Sequence, residues 1–465
     1  MAAPITVHDW AQQVLFGTTL GDKLWAPPCS DQALGDPCIE PPSRPGRPQH
    51  LALGRGGGES LPSHHALADP RARGQLLHAF ANHELQALEL MALALLRFGD
   101  APPAFRRGLV AALREEQQHL SLYLDRMAEL GTEFGAHPLG GFFWRVMAPM
   151  PSPLDFVAHL ALTFEQANLD FARTYARTLR EAGDVQTAEI LDQVHADEIG
   201  HVKLGRVWFE RWREAGPSLF EAHCRALRAP ITARRARGLG FDRPGRRAAG
   251  LPDDYVEQLA VYESSRGRPP VVHMFEPTAE LELGTRGSYT PPAALQTMIA
   301  DLETLPMFTA SANDVVLVRR VPSLAFQQSL VAMGFRMPQW IAVGAGNDPV
   351  EPAAVGHPRM MALRPWGWGS RARARLAPLT ALSEHSPPPA TADAWLHAKT
   401  TWVERARSLT DEGEEPWLYG RRALDVVAHE HAEVVAALER IEAHGYRRAV
   451  IKAPYGTSGR NAQRV

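Results

Sequence analysis

A pattern of glutamate and histidine occurs twice in the first half of the sequence. A single glutamate is followed by a Glu-x-x-His pair, at an interval of 32 residues the first time and 33 the second. On a helix, residues three apart project from one face, so each pair would present a carboxylate and an imidazole together. The residues of the pattern are Glu84, Glu116, His119, Glu165, Glu198 and His201.

The glutamates of this pattern lie in apolar stripes with helical periodicity. Glu84, for example, stands four residues after Phe80 and four before Leu88, and the other three have comparable apolar neighbours. This spacing is typical of the buried face of an amphipathic helix and argues against surface or capping roles. Burying four carboxylates is costly unless they are neutralised, and bound metal would neutralise them.

The residue types indicate which metals would fit. Four carboxylates balance the charge of two cations and can bridge them, and one imidazole per metal completes an oxygen and nitrogen shell that suits iron or manganese. Two helices with Glu-x-x-His and two with one glutamate each are the ligand set of a ferritin-like di-metal bundle. We therefore expect two iron ions, and a manganese or mixed manganese–iron pair would suit the same ligands.

The pattern also predicts how the ligands divide between the two metals. Glu116 and Glu198 are expected to bridge. The first metal would be held by Glu84, Glu116 and His119, and the second by Glu165, Glu198 and His201.

Several neighbouring residues are candidates for supporting roles. Each imidazole ligand needs a hydrogen-bond acceptor behind it, and Asp170 and Asp197 are candidates, the alternative being solvated helix charges. Tyr123 lies four residues after His119 and would either donate electrons to the site or belong to the core. The aromatic run 142–144 would either roof a substrate cavity or plug the end of the bundle.

Composition excludes some classes of protein. At 465 residues the chain is long enough for two or three domains, with 45% hydrophobic and 22% charged residues, as in ordinary globular proteins. A formal net charge of −3 gives no general case for binding nucleic acid or a membrane. Three cysteines without a C-x-x-C motif, no signal peptide and no long apolar run predict a cytoplasmic location.

The fold class predicted is a multidomain α and α/β protein, with a ferritin-like four-helix bundle followed by a smaller α/β domain. Residues 1–70 are predicted as an irregular N-terminal arm with one short helix, and residues 71–216 as the bundle. Residues 217–275 are predicted as a basic connecting or docking segment, and residues 276–465 as the α/β region. The bundle helices are expected at 73–98, 103–129, 153–183 and 184–216.

The connecting segment is rich in arginine. One interpretation is a solvated face that docks on the bundle, and the other is contact with phosphate or RNA. Aromatic residues do not alternate with the arginines, so we do not favour RNA. The cluster comprises Arg225, Arg228, Arg234, Arg235, Arg237, Arg243, Arg246 and Arg247.

The segment 78–212 resembles the ferritin-like domain of the bacterial family called domain of unknown function 455. The similar stretches are HAFANHELQALEL, REEQQHL, FEQANLD and DEIGHVKLGRVWF, together with RPGRP before them and ARRARGLGF after them. The resemblance covers roughly residues 40–275 and implies the fold and the metal ligands, but no reaction. A more distant likeness to a di-iron tRNA hydroxylase suggests a reaction class only.

Residues 276–465 resemble the N-terminal portion of an ATP-grasp ligase with its preceding α/β domain. The resemblance implies that Lys452 contacts nucleotide phosphates and that the glycine-rich loop Gly456, Thr457, Ser458 and Gly459 covers them. The Mg²⁺ ligands of such enzymes normally follow this loop, where the chain has almost no residues. We therefore expect ATP and Mg²⁺ to bind only with a separate completing subunit, and no ligase activity from this chain alone.

Three functions remain open from the sequence. The first is an O₂-activating oxidase or hydroxylase that acts on a small or carrier-bound metabolite. The second is iron or peroxide handling, as in ferroxidases, and the third is a non-catalytic scaffold for an ATP-grasp partner. A cavity that reaches the metals would favour the first function, and a site open only to ions would favour the second.

Overall fold

The computed structural model divides the chain into two compact units, Met1–Tyr262 and Glu263–Val465. The residues described are 5–29, 39–54, 61–263, 268–285, 289–344, 348–411, 425–456 and 462–465. The predicted arm, bundle and most of the arginine-rich segment all lie in the first unit. The predicted start of the α/β region at 276 is wrong by several residues, because the first strand of its sheet is Val271–Met274.

Helices make up the regular structure described in the first unit. In chain order they are α1 (Val7–Phe16), α2 (Leu20–Leu24), α3 (Pro70–Arg97), α4 (Pro103–Glu129), α5 (Phe142–Met147), α6 (Pro153–His159), a π-helical turn (Leu160–Glu165), α7 (Gln166–Glu181), α8 (Val185–Trp212), α9 (Leu219–Ala226), α10 (Arg243–Ala248) and α11 (Asp253–Val261), with short 3₁₀ turns at Gln49–Leu51, His64–Ala68 and Ala233–Ala236.

Four long helical segments surround the apolar core of this unit: α3, α4, α8 and the continuous run α6–π–α7. Helix α3 packs along α4, and α7 packs along α8. The observed ends lie within four residues of the predicted ones. The π-helical turn was not predicted, because an inserted residue leaves the hydrophobic period almost unchanged.

Local sequence explains where these segments begin. The Asp69 side chain accepts a hydrogen bond from Arg71 N, and Pro70 occupies the first turn of α3. Ser152 caps α6 in the same way, and the Asp184 carboxylate caps α8. Each cap satisfies a backbone N–H that has no partner within its helix.

The N-terminal arm packs on the bundle through α1, which lies against α3. The Trp10 ring is fully buried, and its indole N–H donates to Trp25 O at 2.6 Å. Beneath the arm, the buried carboxylate of Glu89 lies 3.2 Å from Lys23 Nζ and 2.6 Å from Arg47 Nη2. The arm thereby supplies two cations to a carboxylate on α3.

The arginine-rich segment is bound to the bundle by a shared apolar core and by ion pairs. Arg246 is fully buried, and its Nη1 and Nη2 atoms donate to the Asp170 carboxylate of α7 at 2.6 and 2.9 Å. Arg228 binds Asp155 of α6. Arg243 and Arg247 pair with Glu257 and Asp253 of α11, within the same segment. The docking interpretation of this cluster therefore accounts for Arg228 and Arg246, two of its eight arginines.

The second unit contains a four-stranded parallel sheet of order β3-β2-β1-β4. The strands are β1 (Val271–Met274), β2 (Val315–Val318), β3 (Gln339–Ala342) and β4 (Ala362–Pro365), and a separate antiparallel pair is formed by β5 (Val450–Lys452) and β6 (Ala462–Arg464). The helices are α12 (Ala279–Gly284), α13 (Ala293–Leu302), α14 (Leu324–Ala332), α15 (Pro352–Val355), α16 (Ser370–Leu376), α17 (Asp393–His397), α18 (Lys399–Asp411) and α19 (His431–Ala443).

The central strands of this sheet are continuous apolar runs, as parallel strands covered on both faces require. Strands β1 and β2 are buried throughout. Among the described residues, no helix is long and apolar enough to cross a membrane.

The ion pairs of Glu89 with Lys23 and Arg47 give a test of what stabilises the first unit. Glu89→Gln would leave two buried cations without a counter-charge, and we expect unfolding to become easier by about 3 kcal/mol. Thermal and urea unfolding of the full chain would measure this loss. Glu210→Gln, which breaks a surface pair with Arg206, is the control and should cost less than about 1 kcal/mol. Equal effects of the two variants would contradict this account.

Candidate metal centre

The structure brings all six residues of the repeated pattern into one buried cluster. Helix α3 supplies Glu84, α4 supplies Glu116 and His119, the π-helical turn supplies Glu165, and α8 supplies Glu198 and His201. Their exposed fractions lie between 0% and 6%. The donor atoms form two groups, each within 4.8 Å, and Glu116 and Glu198 belong to both; the groups are Glu84, Glu116, His119 and Glu198, and Glu116, Glu165, Glu198 and His201.

The four glutamates differ from the other buried acids of the first unit. In the described part of this unit, Glu89, Asp155, Asp170, Asp184 and Asp242 all pair with lysine or arginine. None of the four cluster glutamates has such a partner. Because a buried carboxylate needs a neutralising charge, the cluster could hold a metal ion.

Unpaired atoms inside the cluster strengthen this conclusion. Six buried donor or acceptor atoms make no hydrogen bond: both carboxylate oxygens of Glu116, one oxygen each of Glu165 and Glu198, and Nδ1 of His119 and His201. His201 Nδ1 and Glu116 Oε1 lie 3.1 Å apart, which is an electrostatic contact. Buried polar atoms are seldom left unpaired, and converging ones fit the donor set of a cation.

The electrostatics of the cluster are strongly coupled. Burial raises the pKa of Glu84 and Glu165 well above the usual carboxyl range, and neighbouring carboxylates add to this. Burial disfavours the charged forms of Glu116 and His119 as well. The facing imidazoles nevertheless lower the pKa of Glu116, while Glu116 raises the pKa of His119 to about 9.

Each imidazole is oriented by a carboxylate from the opposite helix. His119 Nε2 on α4 lies 3.1 Å from Asp197 Oδ2 on α8, and His201 Nε2 on α8 lies 2.8 Å from Glu115 Oε2 on α4. This exchange leaves both Nδ1 atoms facing the cluster. A carboxylate behind an imidazole ligand fixes the ring and increases its basicity.

Of the two acceptors predicted from the sequence, Asp197 has this contact and Asp170 does not. The prediction for Asp170 is wrong, because that carboxylate is bound by the buried guanidinium of Arg246. Glu115 was missed. A detectable signal existed, since an acidic residue directly precedes each Glu-x-x-His pair, as Glu115 and as Asp197.

The π-helical turn determines how Glu165 enters the cluster. It ends at Glu165 and packs against α8. At the contact, a Cβ atom on Gly205 would overlap with Ala161, so only glycine allows α8 to approach this closely. Turns of this kind occur often at functional sites.

A cavity of about 450 Å³ reaches the cluster. All four glutamates line it, whereas the two histidines lie behind them. This volume falls within the range of roughly 300–1,000 Å³ that is typical of small-molecule sites. The site is therefore accessible to molecules larger than an ion.

Aromatic rings form much of the wall. Phe142 and Phe143 line the cavity, as one interpretation of this run predicted, and Phe143 lies 4.2 Å from Phe164 between ring centroids. Trp144 instead belongs to the core and donates to Ser43 O. His83 also lines the cavity and stacks on Phe143.

Tyr123 is fully buried close to the cluster. Burial raises its pKa well above the usual value, and the charges of Glu84, Glu198 and Glu116 add to this effect. Its ring packs against Phe80 with centroids 6.0 Å apart. The electron-donating role stays a prediction.

The nucleotide site predicted in the second unit is described only in part. Lys452 lies on β5 and is exposed, and the Gly456 carbonyl accepts a hydrogen bond from Lys399. Thr457, Ser458 and Gly459 lie outside the described residues. The nucleotide-binding role of these residues stays a prediction.

A known protein family shares most of the first unit. The profile of the family described as "Protein of unknown function (DUF455)" matches residues 10–257, which is more than half of the chain. The chain belongs to the DUF455 family. The match covers the whole metal cluster and ends before the second unit.

One curated relative of this DUF455 protein is described as an uncharacterized protein of Haemophilus influenzae (strain ATCC 51907 / DSM 11121 / KW20 / Rd). It is 28% identical over 141 residues, which is 29% of this chain and 49% of the relative. The chain thus spans about half the length of that relative. No solved structure shows a significant match.

The crossed carboxylates behind the histidines generate a prediction. Glu115→Gln and Asp197→Asn should each weaken metal binding by about 10- to 100-fold, because each removes the charge that orients an imidazole. Competition with a chromophoric chelator would measure the affinity. Asp192→Asn, an exposed carboxylate on the same helix α8 that pairs with Arg180, should leave affinity unchanged. The idea fails if all three variants behave alike.

Metal binding should also release protons. The raised pKa values of Glu84, Glu165, His119 and His201 favour the protonated forms of these groups, and a metal must displace any proton that they carry. Affinity should therefore rise as pH rises toward these pKa values. Calorimetric titration with Mn²⁺ in two buffers of different ionisation enthalpy would give the proton count, and heats that do not depend on the buffer would contradict this expectation.

Proposed function

We propose that this DUF455 protein is a di-iron oxidoreductase whose ferritin-like bundle activates O₂ to oxidise or hydroxylate a small or carrier-bound metabolite. The observation that carries the proposal is the cavity that ends on four unpaired carboxylates. A substrate in this cavity would lie beside the cations that those carboxylates hold. When bound, the two irons would supply electrons to O₂.

The ligand arrangement suits two metals rather than one. The two donor groups share Glu116 and Glu198, so these carboxylates can bridge neighbouring cations. One imidazole serves each group, with His119 in the first and His201 in the second. Four carboxylates offset the charge of two divalent cations, which leaves the buried site nearly neutral.

Residues around the cluster have separate tasks in this proposal. Asp197 and Glu115 hold the imidazole rings with Nδ1 directed at the cations. Asn168 donates a hydrogen bond to Glu198 Oε1 at 2.8 Å and fixes one bridging carboxylate. The phenylalanine wall limits access of water, which protects a reactive oxidant from side reactions.

Ferroxidase activity, the alternative, requires access for ions alone. The cavity is much larger than such a path, and five phenylalanines line it. Both features favour a carbon-containing substrate over a stored or transported ion.

For the second unit we keep the proposal drawn from its resemblance to ATP-grasp proteins. Its parallel sheet is consistent with a pre-ATP-grasp-like α/β domain. In that case ATP and Mg²⁺ would bind together with a separate ATP-grasp subunit, and the two proteins would act on one metabolite.

The central experiment is metal analysis after anaerobic Fe²⁺ loading of the full chain. We expect about two irons per chain and an optical change on exposure to O₂. Glu116→Ala/Glu198→Ala removes both bridging carboxylates and should abolish both signals. Titrating excess Fe²⁺ then distinguishes the alternative, since a ferroxidase continues to consume O₂ as iron is added.

The matched control is Glu129→Ala/Glu189→Ala, which removes one exposed glutamate from each of the same two helices, α4 and α8. It should bind iron like the wild type. Absence of iron from all three proteins would overturn the proposal, and so would bound iron that does not react with O₂.

A further inference from the structure

Two arginines that line the cavity lack the acidic partners found for neighbouring arginines. In the described part of the chain, no carboxylate pairs with Arg145 or Arg235. Arg228, Arg243, Arg246 and Arg247 of the adjoining segment, in contrast, all pair with aspartate or glutamate. A guanidinium that stays unpaired beside a ligand cavity is available to bind an anion.

Local structure directs both side chains to the cavity. Arg235 lies on the 3₁₀ turn Ala233–Ala236, whose two terminal alanines are fully buried, and the buried Arg246 donates to Ala236 O at 2.7 Å. The Arg235 guanidinium lies over the Phe142 ring, 5.2 Å from its centroid. Arg145 on α5 donates to Gly54 O at 3.2 Å.

The residues that line the two ends of the cavity differ in their exposure to solvent. The four glutamates are buried, whereas Arg145 and Arg235 are exposed. Cations therefore line the solvent end, and the metal-binding carboxylates form the deep end. Between these ends the lining includes five phenylalanines, which favour a flat apolar body.

From this arrangement we infer that the substrate is an anion with a flat apolar body, whose carboxylate or phosphate group binds Arg145 and Arg235. Its apolar part lies among the phenylalanines and reaches toward the metal cluster. The arginines then act as positioning residues, because they hold the end of the molecule that does not react. This inference rests on the proposed function, because that proposal places the reaction at the deep end of the cavity.

Binding of three probes with one ring system would test the inference. The probes are 1-naphthyl phosphate, 1-naphthoate and neutral 1-naphthol, titrated calorimetrically without O₂ into the full chain, both as purified and after Fe²⁺ loading. One or both anions should bind about tenfold more tightly than naphthol, as expected for charge-assisted hydrogen bonds. The preferred anion identifies the group as phosphate or carboxylate.

Variants assign the binding to the arginines. Arg235→Gln and Arg145→Gln should each weaken binding of the preferred anion about tenfold and leave naphthol unchanged, and Arg235→Lys should restore part of the loss. Arg211→Gln is the control, because Arg211 is an exposed arginine stacked on Trp208, 4.6 Å from its ring centroid, and does not line the cavity. It should bind all three probes like the wild type.

Two outcomes would overturn the inference. One is equal affinity for the anions and naphthol. The other is anion binding that survives both arginine changes and disappears in Glu116→Ala/Glu198→Ala, which would place the anion on the metal. These results are independent of the iron and O₂ measurements, so a failed anion site and a failed di-iron centre are distinguishable.

Discussion

The structure of the first unit depends on the neutralisation of buried carboxylates. A charged carboxylate inside an apolar core costs several kcal/mol unless an opposite charge accompanies it. Helix α3 shows two solutions only five residues apart. Glu89 is neutralised by Lys23 and Arg47 from the N-terminal arm, while Glu84 has no lysine or arginine partner and faces the cluster instead. This difference separates structural acids from candidate ligands.

Ion pairs therefore help to attach the arm and the arginine-rich segment to the bundle. In the described residues, the glutamates of the candidate metal centre have no lysine or arginine partner. The arm and the arginine-rich segment are attached to the bundle through buried pairs such as Arg246 with Asp170. These attachments also build the cavity, because the segment that carries Arg246 places the Ala233–Ala236 turn against the π-helical turn. The contacts that hold this segment on the bundle therefore also shape the cavity that leads to the cluster.

The second unit has a different organisation. Its parallel sheet is short, with four residues in each strand, and its apolar core is small and separate. The family match ends at residue 257, so this unit lies outside the part shared with DUF455 proteins. All six clustered residues lie in the first unit.

The sequence alone determined the six clustered residues and the four helices that carry them. Glu-x-x-His spacing and hydrophobic period are local properties, so they can be recognised in the sequence without knowledge of the fold. The sequence missed β1, whose four residues include the polar His273.

Only the tertiary structure decided which distant groups meet. Asp170 and Asp197 look equivalent along the chain, yet one binds Arg246 and the other His119. Likewise, four of the eight arginines of one segment pair with acids, whereas Arg235 and Arg237 line the cavity. The pairings of Asp170 and Asp197 span 76 and 78 residues of sequence and depend on helix rotation and packing, which no local pattern encodes.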